Sequence, residues 1–179
     1  MFAPDRYVAA LRFAAERHHG QHMQESQLPY LVHLVAVAAE VTAALPAEGV
    51  DVDVAIGCAL LHDILEDTPT TRAELVERFG EPIAAGVSAL TKASSDSLIL
   101  KEHRMADSLA RIRAQPPAVW IVKLADRITN LAPPPAGWSR DKRVAYRDEA
   151  MQIADALGGV CPQLDARIRA KIATYAAYL

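Results

Sequence analysis

The sequence has few cysteines and no excess of basic residues. Among its 179 residues, Cys58 and Cys161 are too few for a disulfide framework and are not spaced like a cysteine metal site. Lysine and arginine total 19 against 22 acidic residues, a formal net charge of −3, and no basic cluster is dense enough to follow a phosphate backbone. These absences argue against a disulfide-stabilised secreted protein and against nucleic-acid binding.

Long apolar runs are also missing. The longest are far shorter than a membrane span, and none lies at the extreme N-terminus, where a signal peptide would lie. We therefore expect a cytoplasmic protein that does not bind membranes. Apolar residues make up 51% of the chain, and its length suits one domain over residues 1–179 with a substantial core. No feature indicates an oligomeric state.

The apolar residues recur at spacings of three and four, alanine is abundant and β-branched runs are short, which predicts an all-α fold. Helix start and stop signals predict a bundle of about nine to ten helices. The predicted helices cover residues 4–19, 33–45, 51 or 53 to 68, 70 or 71 to 80, 82–90, 98–114, 116–131, 139–157 and 162–179. Residues 20–29 and 93–97 are predicted loops, and the prolines at 133–135 exclude helix there.

One apolar segment, LLHDILEDT at residues 60–68, contains an imidazole and three carboxylates. On one continuous helix, His62 and Glu66 would share a face, as would Asp63 and Asp67, and Asp63 would lie about 100° around from His62. All four could then point into one cleft. Because buried carboxylates are rarely left without partners, a bound cation is one way to satisfy them.

Two more polar residues lie in apolar surroundings, His33 at the start of the second predicted helix and Asp126 within residues 120–127. Together with the adjacent His-Asp pair of the motif, they would offer two imidazoles and two carboxylates, a set that suits manganese, iron or zinc. Such an ion would supply hydroxide near neutral pH, Glu66 could exchange a proton, and Asp67 could orient the water or leaving group. Each residue alone could equally be a surface pair or a helix-start residue.

Several segments form an ordered set of motifs: HHGQ at 18–21, PYLVH at 29–33, LLHDILEDT at 60–68, FG at 79–80, LTK at 90–92, KLADR at 123–127 with Asn130, and GWS at 137–139 with Tyr146 and EA at 149–150. Taken in order, they resemble the HD-domain phosphohydrolases. More narrowly, they resemble the hydrolase domain of the RelA/SpoT family and its free-standing form, the small alarmone hydrolases. The resemblance covers nearly the whole chain.

The resemblance implies a helical HD domain with a bound manganese ion. The implied metal ligands are His33, His62, Asp63 and Asp126, and the implied catalytic pair is Glu66 and Asp67. The implied reaction is removal of the 3′-pyrophosphate from guanosine 3′,5′-bis(diphosphate) or its pentaphosphate relative, without the synthetase activity of the long enzymes.

The resemblance also implies contacts to the nucleotide substrate. Asn130 and Tyr146 would contact the nucleotide. Lys123, Arg127 or Arg17 could neutralise phosphate charge, although a plain surface role for any one of them is an alternative.

The chain departs from the family pattern beside the expected substrate. Met23 and Gln24 replace the usual basic pair, and Ala132 stands where arginine is common. His22, if protonated, would compensate only in part. An adenosine alarmone, or another nucleotide with a 2′- or 3′-phosphate such as NADPH, therefore becomes a candidate substrate. A broader HD nucleotide phosphatase and a non-catalytic nucleotide sensor are the two competing hypotheses.

Overall fold

The computed structural model describes residues 3–45, 49–92 and 103–179, and these residues form a bundle of helices. Its ten α-helices are α1 (Pro4–Arg17), α2 (Leu31–Ala44), α3 (Val52–Leu61), α4 (Ile64–Asp67), α5 (Arg72–Phe79), α6 (Glu81–Leu90), α7 (Arg104–Arg113), α8 (Pro117–Asn130), α9 (Arg140–Leu157) and α10 (Pro162–Tyr175). Short 3₁₀ helices follow α9 and α10 at Gly158–Val160 and Ala176–Tyr178. An isolated bridge between His22 and Pro29 is the only β pairing within these ranges. The all-α prediction is confirmed.

Polar side chains begin several of the helices. Asp51 accepts a hydrogen bond from the amide of Val54 at 3.1 Å at the start of α3, and Thr71 accepts one from Glu74 at 3.2 Å at the start of α5. Each bond satisfies an amide that the first helical turn leaves without a partner. Gly80 joins α5 to α6 at φ +83°, a conformation that glycine adopts at little cost.

Helix α3 lies at the centre of the bundle. It packs against α1, α2, α6 and α8, and all residues from Ala55 to Leu61 are buried. A helix covered on all sides needs apolar side chains all round, which explains why this segment has no polar face. Helices α9 and α10 pack against α8. Helix α3 ends at Leu61, directly before the polar residues His62 and Asp63.

The motif segment is not one continuous helix, and the prediction of a helix from 51 or 53 to 68 was wrong. Helix α3 ends at Leu61, His62 and Asp63 form a turn, and α4 starts at Ile64. The carbonyl of Asp63 accepts hydrogen bonds from the amides of Glu66 at 3.1 Å and Asp67 at 2.9 Å, which starts the new helical turn. Because the helix is broken here, the angles expected for one continuous helix do not give the positions of the four polar side chains of the motif.

The other helix boundaries agree with the predictions to within a few residues, where they are described. The second helix begins at Leu31, and α8 ends at Asn130, before the three prolines. The predicted loop at 93–97 and the predicted start at 98 lie outside the described residues, and α7 is described from Arg104. None of the described helices combines the length and the apolar character needed to cross a membrane.

Candidate functional site

Four side chains from distant parts of the sequence meet beneath one pocket. His33 comes from α2, His62 and Asp63 from the turn after α3, and Asp126 from α8. The Nε2 atoms of the two histidines lie 3.3 Å apart, and Asp63 Oδ2 lies 3.0 Å from His62 Nε2. Asp126 Oδ1 lies 3.6 Å from His33 Nε2 and 3.8 Å from His62 Nε2. We name these four residues the donor cluster.

Neighbouring groups orient the donor cluster. His62 Nδ1 lies 2.8 Å from the carbonyl oxygen of Ala59 and its N–H donates there, which leaves Nε2 facing the cluster. Once Nε2 loses its proton, its lone pair would point at a bound ion. Tyr30 donates its hydroxyl to Asp63 Oδ2 at 2.5 Å, and its ring packs between the rings of His18 and His33, at centroid distances of 5.1 and 5.4 Å. These contacts fix both the donor atoms and their tautomer.

The donor cluster attracts positive charge. Burial works to lower the pKa of His62, but the carboxylates of Asp63 and Asp126 outweigh it and raise that pKa to about 9. Burial and the neighbouring His62 lower the pKa of His33. Burial opposes ionisation of Asp63, yet the charge and hydrogen bond of His62 hold its pKa below the usual value. For Asp126, Lys123 and His62 likewise outweigh burial and lower the pKa.

A pocket of about 280 Å³ opens over the donor cluster, and we name it the charged pocket. Its charged lining residues are Asp63, Glu66, Asp67, Lys92, Lys123, Asp126, Arg127 and Glu149. Five carboxylates thus face three basic side chains, and a divalent cation would balance the excess of two negative charges. Mixed nitrogen and oxygen donors suit manganese, iron or zinc, so the residues present fit a bound transition metal.

Glu66 and Asp67 lie beside the donor cluster on α4, and both line the charged pocket. Glu66 accepts a hydrogen bond from Lys92 Nζ at 2.8 Å and a second from the Lys92 amide at 3.3 Å. Burial, together with the charges of Asp63 and Glu66, raises the pKa of Asp67. Gln21 Nε2 donates to the main-chain carbonyl of Asp67 at 2.8 Å, which fixes that end of α4.

The basic groups of the charged pocket are held by acidic partners. Lys123 Nζ lies 3.0 Å from Asp126 Oδ2, and Arg127 Nη2 lies 3.3 Å from Glu149 Oε2. The Arg127 guanidinium also lies over the ring of Tyr146, 4.3 Å from its centre. Its Nη1 is buried and has no hydrogen-bond partner in the described part of the chain, which leaves this nitrogen with unused hydrogen-bonding capacity.

A second pocket of about 310 Å³ adjoins the first, and we name it the aromatic pocket. It shares Tyr30, Asn130 and Tyr146 with the charged pocket. Its lining residues are Met23, Gln24, Tyr30, His33, Thr129, Asn130, Ala132, Pro133, Pro134, Pro135, Trp138, Tyr146 and Tyr175. Asn130 at the boundary donates to Asp126 Oδ1 at 2.5 Å. The two pockets together could hold a ligand with two chemically different ends.

The structure brings together all of the sequence-predicted site residues except His22. His22 is exposed and lines neither pocket, whereas Met23 and Gln24 line the aromatic pocket. Its main chain pairs with Pro29, and neighbouring side chains of extended backbone point to opposite sides. Arg17, the other basic alternative, lies 2.5 Å from Glu74 and lines neither pocket.

Three polar residues that line the charged pocket were not predicted to be site residues: Tyr30, Lys92 and Glu149. Each lies within a matched motif, Tyr30 in PYLVH, Lys92 in LTK and Glu149 in the pair at 149–150, so the motif matches could have identified all three.

Comparison with known proteins identifies the domain family. A family model of the HD domain matches residues 10–159. The guanosine-3′,5′-bis(diphosphate) 3′-pyrophosphohydrolase MESH1 of Mus musculus is 31% identical over 167 residues, covering 90% of each chain. The enzyme of that name from Aquifex aeolicus is 35% identical over 146 residues, which are 80% of this chain but only 20% of the Aquifex protein.

Among solved structures, a metazoan orthologue of SpoT that hydrolyses ppGpp superposes with a TM-score of 0.82 at 23% identity. The superposition covers 100% of this chain and 99% of the other, and at this identity it supports the fold alone. The family match spans most of the chain and includes the donor cluster. The chain therefore belongs to the HD domain family.

Proposed function

We propose that the chain is a metal-dependent hydrolase that removes the 3′-pyrophosphate from a guanosine or adenosine alarmone. The observation that carries this proposal is the donor cluster at the base of a pocket that also contains carboxylates and basic side chains. Similarity to MESH1 over 90% of both chains supports the substrate class, because that relative is named for this reaction.

The donor cluster would hold the metal ion, and we infer Mn²⁺ from the resemblance to the alarmone hydrolases, because the mixed imidazole and carboxylate donors would equally suit iron or zinc. The ion would supply positive charge that acidifies water and stabilises negative charge developing at phosphorus. Lys123 and the unpartnered Nη1 of Arg127 would bind phosphate oxygens in the charged pocket.

Glu66 and Asp67 have different surroundings, which suggests different roles. Lys92 holds the Glu66 carboxylate at 2.8 Å and Glu66 lines the charged pocket, so we assign it the removal of a proton from the attacking water. Burial and neighbouring negative charge raise the pKa of Asp67, so this carboxyl is the better proton donor to the leaving group. With Glu66 held by Lys92 and Asp67 beside other carboxylates, the two carboxyl groups would divide the work of base and acid.

A side-by-side substrate panel tests the proposal. Manganese-loaded protein would be offered the guanosine tetraphosphate, its adenosine counterpart and NADPH, and the products would be separated. We expect pyrophosphate from at least one alarmone. Release of orthophosphate alone would instead support a broader HD nucleotide phosphatase, and binding of metal and nucleotide without turnover would support a sensor.

Changing Met23 to arginine is expected to improve binding of the guanosine tetraphosphate. Met23 lines the aromatic pocket, where an added guanidinium could pair with substrate phosphate. A charge-assisted hydrogen bond contributes roughly 1.5–3 kcal/mol, so the Michaelis constant should fall by about tenfold or more. Steady-state kinetics would measure it, with Gln27→Arg as the control because Gln27 is exposed on the same loop and lines neither pocket. An unchanged constant in Met23→Arg would contradict the expectation.

A further inference from the structure

The aromatic pocket differs from its neighbour in electrical charge. Among the described residues that line it there is no lysine, arginine, aspartate or glutamate, and its histidine, His33, belongs to the donor cluster. The charged pocket next to it has eight such charged side chains. A ligand that spans both pockets therefore meets charge at one end and an almost neutral surface at the other.

The basic side chains near the aromatic pocket do not line it. Lys142 Nζ lies over the Trp138 ring, 4.2 Å from its centre, and Arg143 Nη1 donates to the main-chain carbonyl of Tyr178 at 3.2 Å. Glu25 Oε2 accepts a hydrogen bond from the amide of Ala136 at 3.4 Å, which ties the loop after α1 to the proline connection and adds a carboxylate there. A second diphosphate inside the pocket would lose its hydration without a basic side chain in the lining to replace it.

The aromatic pocket offers flat apolar surfaces and one buried hydroxyl without a partner. The rings of Trp138 and Tyr146 pack edge to face at 5.1 Å, and Pro133 to Pro135 also line the pocket. Tyr175 is only 1% exposed, and its hydroxyl has no hydrogen-bond partner within the described ranges. Buried hydroxyl groups are normally paired, so this one has hydrogen-bonding capacity that a ligand could use.

We propose that the chain selects nucleotides by the phosphates at the reacting end alone, with the nucleoside bound in the aromatic pocket and contacted by the Tyr175 hydroxyl. This inference rests on the proposed function, because it assigns the reacting phosphates to the charged pocket. The preferred substrate class is a nucleoside 3′-diphosphate in which phosphate at the 5′ position contributes nothing to binding.

The experiment compares guanosine 3′,5′-bis(diphosphate) with guanosine 3′-diphosphate carrying a free 5′-hydroxyl. For the native chain, we expect kcat/KM values within about threefold of each other, since no basic side chain lines the aromatic pocket to bind the 5′-phosphates. For Met23→Arg, removal of the 5′-diphosphate should cost about tenfold, because the new guanidinium loses its partner. A native chain that itself loses tenfold or more overturns the inference, whereas no pyrophosphate from either compound would refute the proposed function instead.

Tyr175→Phe tests the polar contact separately. The variant removes a hydroxyl that has no protein partner, so thermal unfolding should show a stability equal to or above that of the native chain. We expect the Michaelis constant for both compounds to rise severalfold while kcat stays unchanged. Unaltered Michaelis constants, or a loss confined to kcat, would show that the hydroxyl does not contact the nucleoside.

Discussion

Replacing Asp63 with alanine is expected to reduce hydrolysis by about 10³-fold and to weaken binding of divalent metal. This carboxylate stands at the centre of the donor cluster: its Oδ2 lies 3.0 Å from His62 Nε2 and 3.7 Å from His33 Nε2, and it accepts the Tyr30 hydroxyl. Alanine would remove one of four donor groups and leave the Tyr30 hydroxyl without its partner. The substitution would therefore weaken both the binding of the ion and the hydrogen bonding that orients its ligands.

Kinetics with Mn²⁺ titration, and calorimetry of Mn²⁺ binding to Asp63→Ala, would measure the two effects. Asp155→Ala is the matched control, because it also removes an aspartate in an ion pair, 3.0 Å from Arg169, but on the exposed surface away from both pockets. Exposed pairs contribute about 0–1 kcal/mol, so this control should keep native activity and metal binding. If Asp63→Ala hydrolyses substrate as fast as the native chain, the assignment of the site is wrong.

Side-chain chemistry in the sequence identified the donor cluster better than helix geometry did. His33 and Asp126 were grouped with the His-Asp pair because each is a polar residue in an apolar segment, and the packing of α2 and α8 against α3 brings them together. The helix break at His62 and Asp63 was not predictable, since neither glycine nor proline marks it. The break follows instead from the surroundings, where the His62 ring donates to Ala59 and Tyr30 holds Asp63.

The substrate side of the site was harder to predict, because loops build it. The loop after α1 has Glu25 at φ +53°, a conformation uncommon outside glycine, and the His22–Pro29 bridge sets which side chains face inward. This main-chain geometry turns His22 outward and Met23 toward the aromatic pocket. Tyr175 comes from the last α-helix, more than a hundred residues from the loop, and no motif includes it.

Replacing Glu66 with glutamine is expected to lower kcat by about 10²–10⁴-fold, the usual contribution of a general base. Glutamine keeps the size of the side chain and can still accept a hydrogen bond from Lys92, but its amide cannot take a proton. Glu66 lies outside the donor cluster, so Mn²⁺ affinity should stay close to native. This combination differs from Asp63→Ala, in which activity and metal binding fall together.

Single-turnover kinetics and Mn²⁺ calorimetry on Glu66→Gln would separate proton transfer from metal binding. Glu81→Gln provides the control, because Glu81 is an exposed glutamate paired with Arg72 and lines neither pocket. A Glu66→Gln protein that loses Mn²⁺ as well as activity would make Glu66 a metal ligand. A protein that binds Mn²⁺ and retains native kcat would assign the base to another group, and Asp67, whose pKa is raised on the same helical turn, would be the first residue to test.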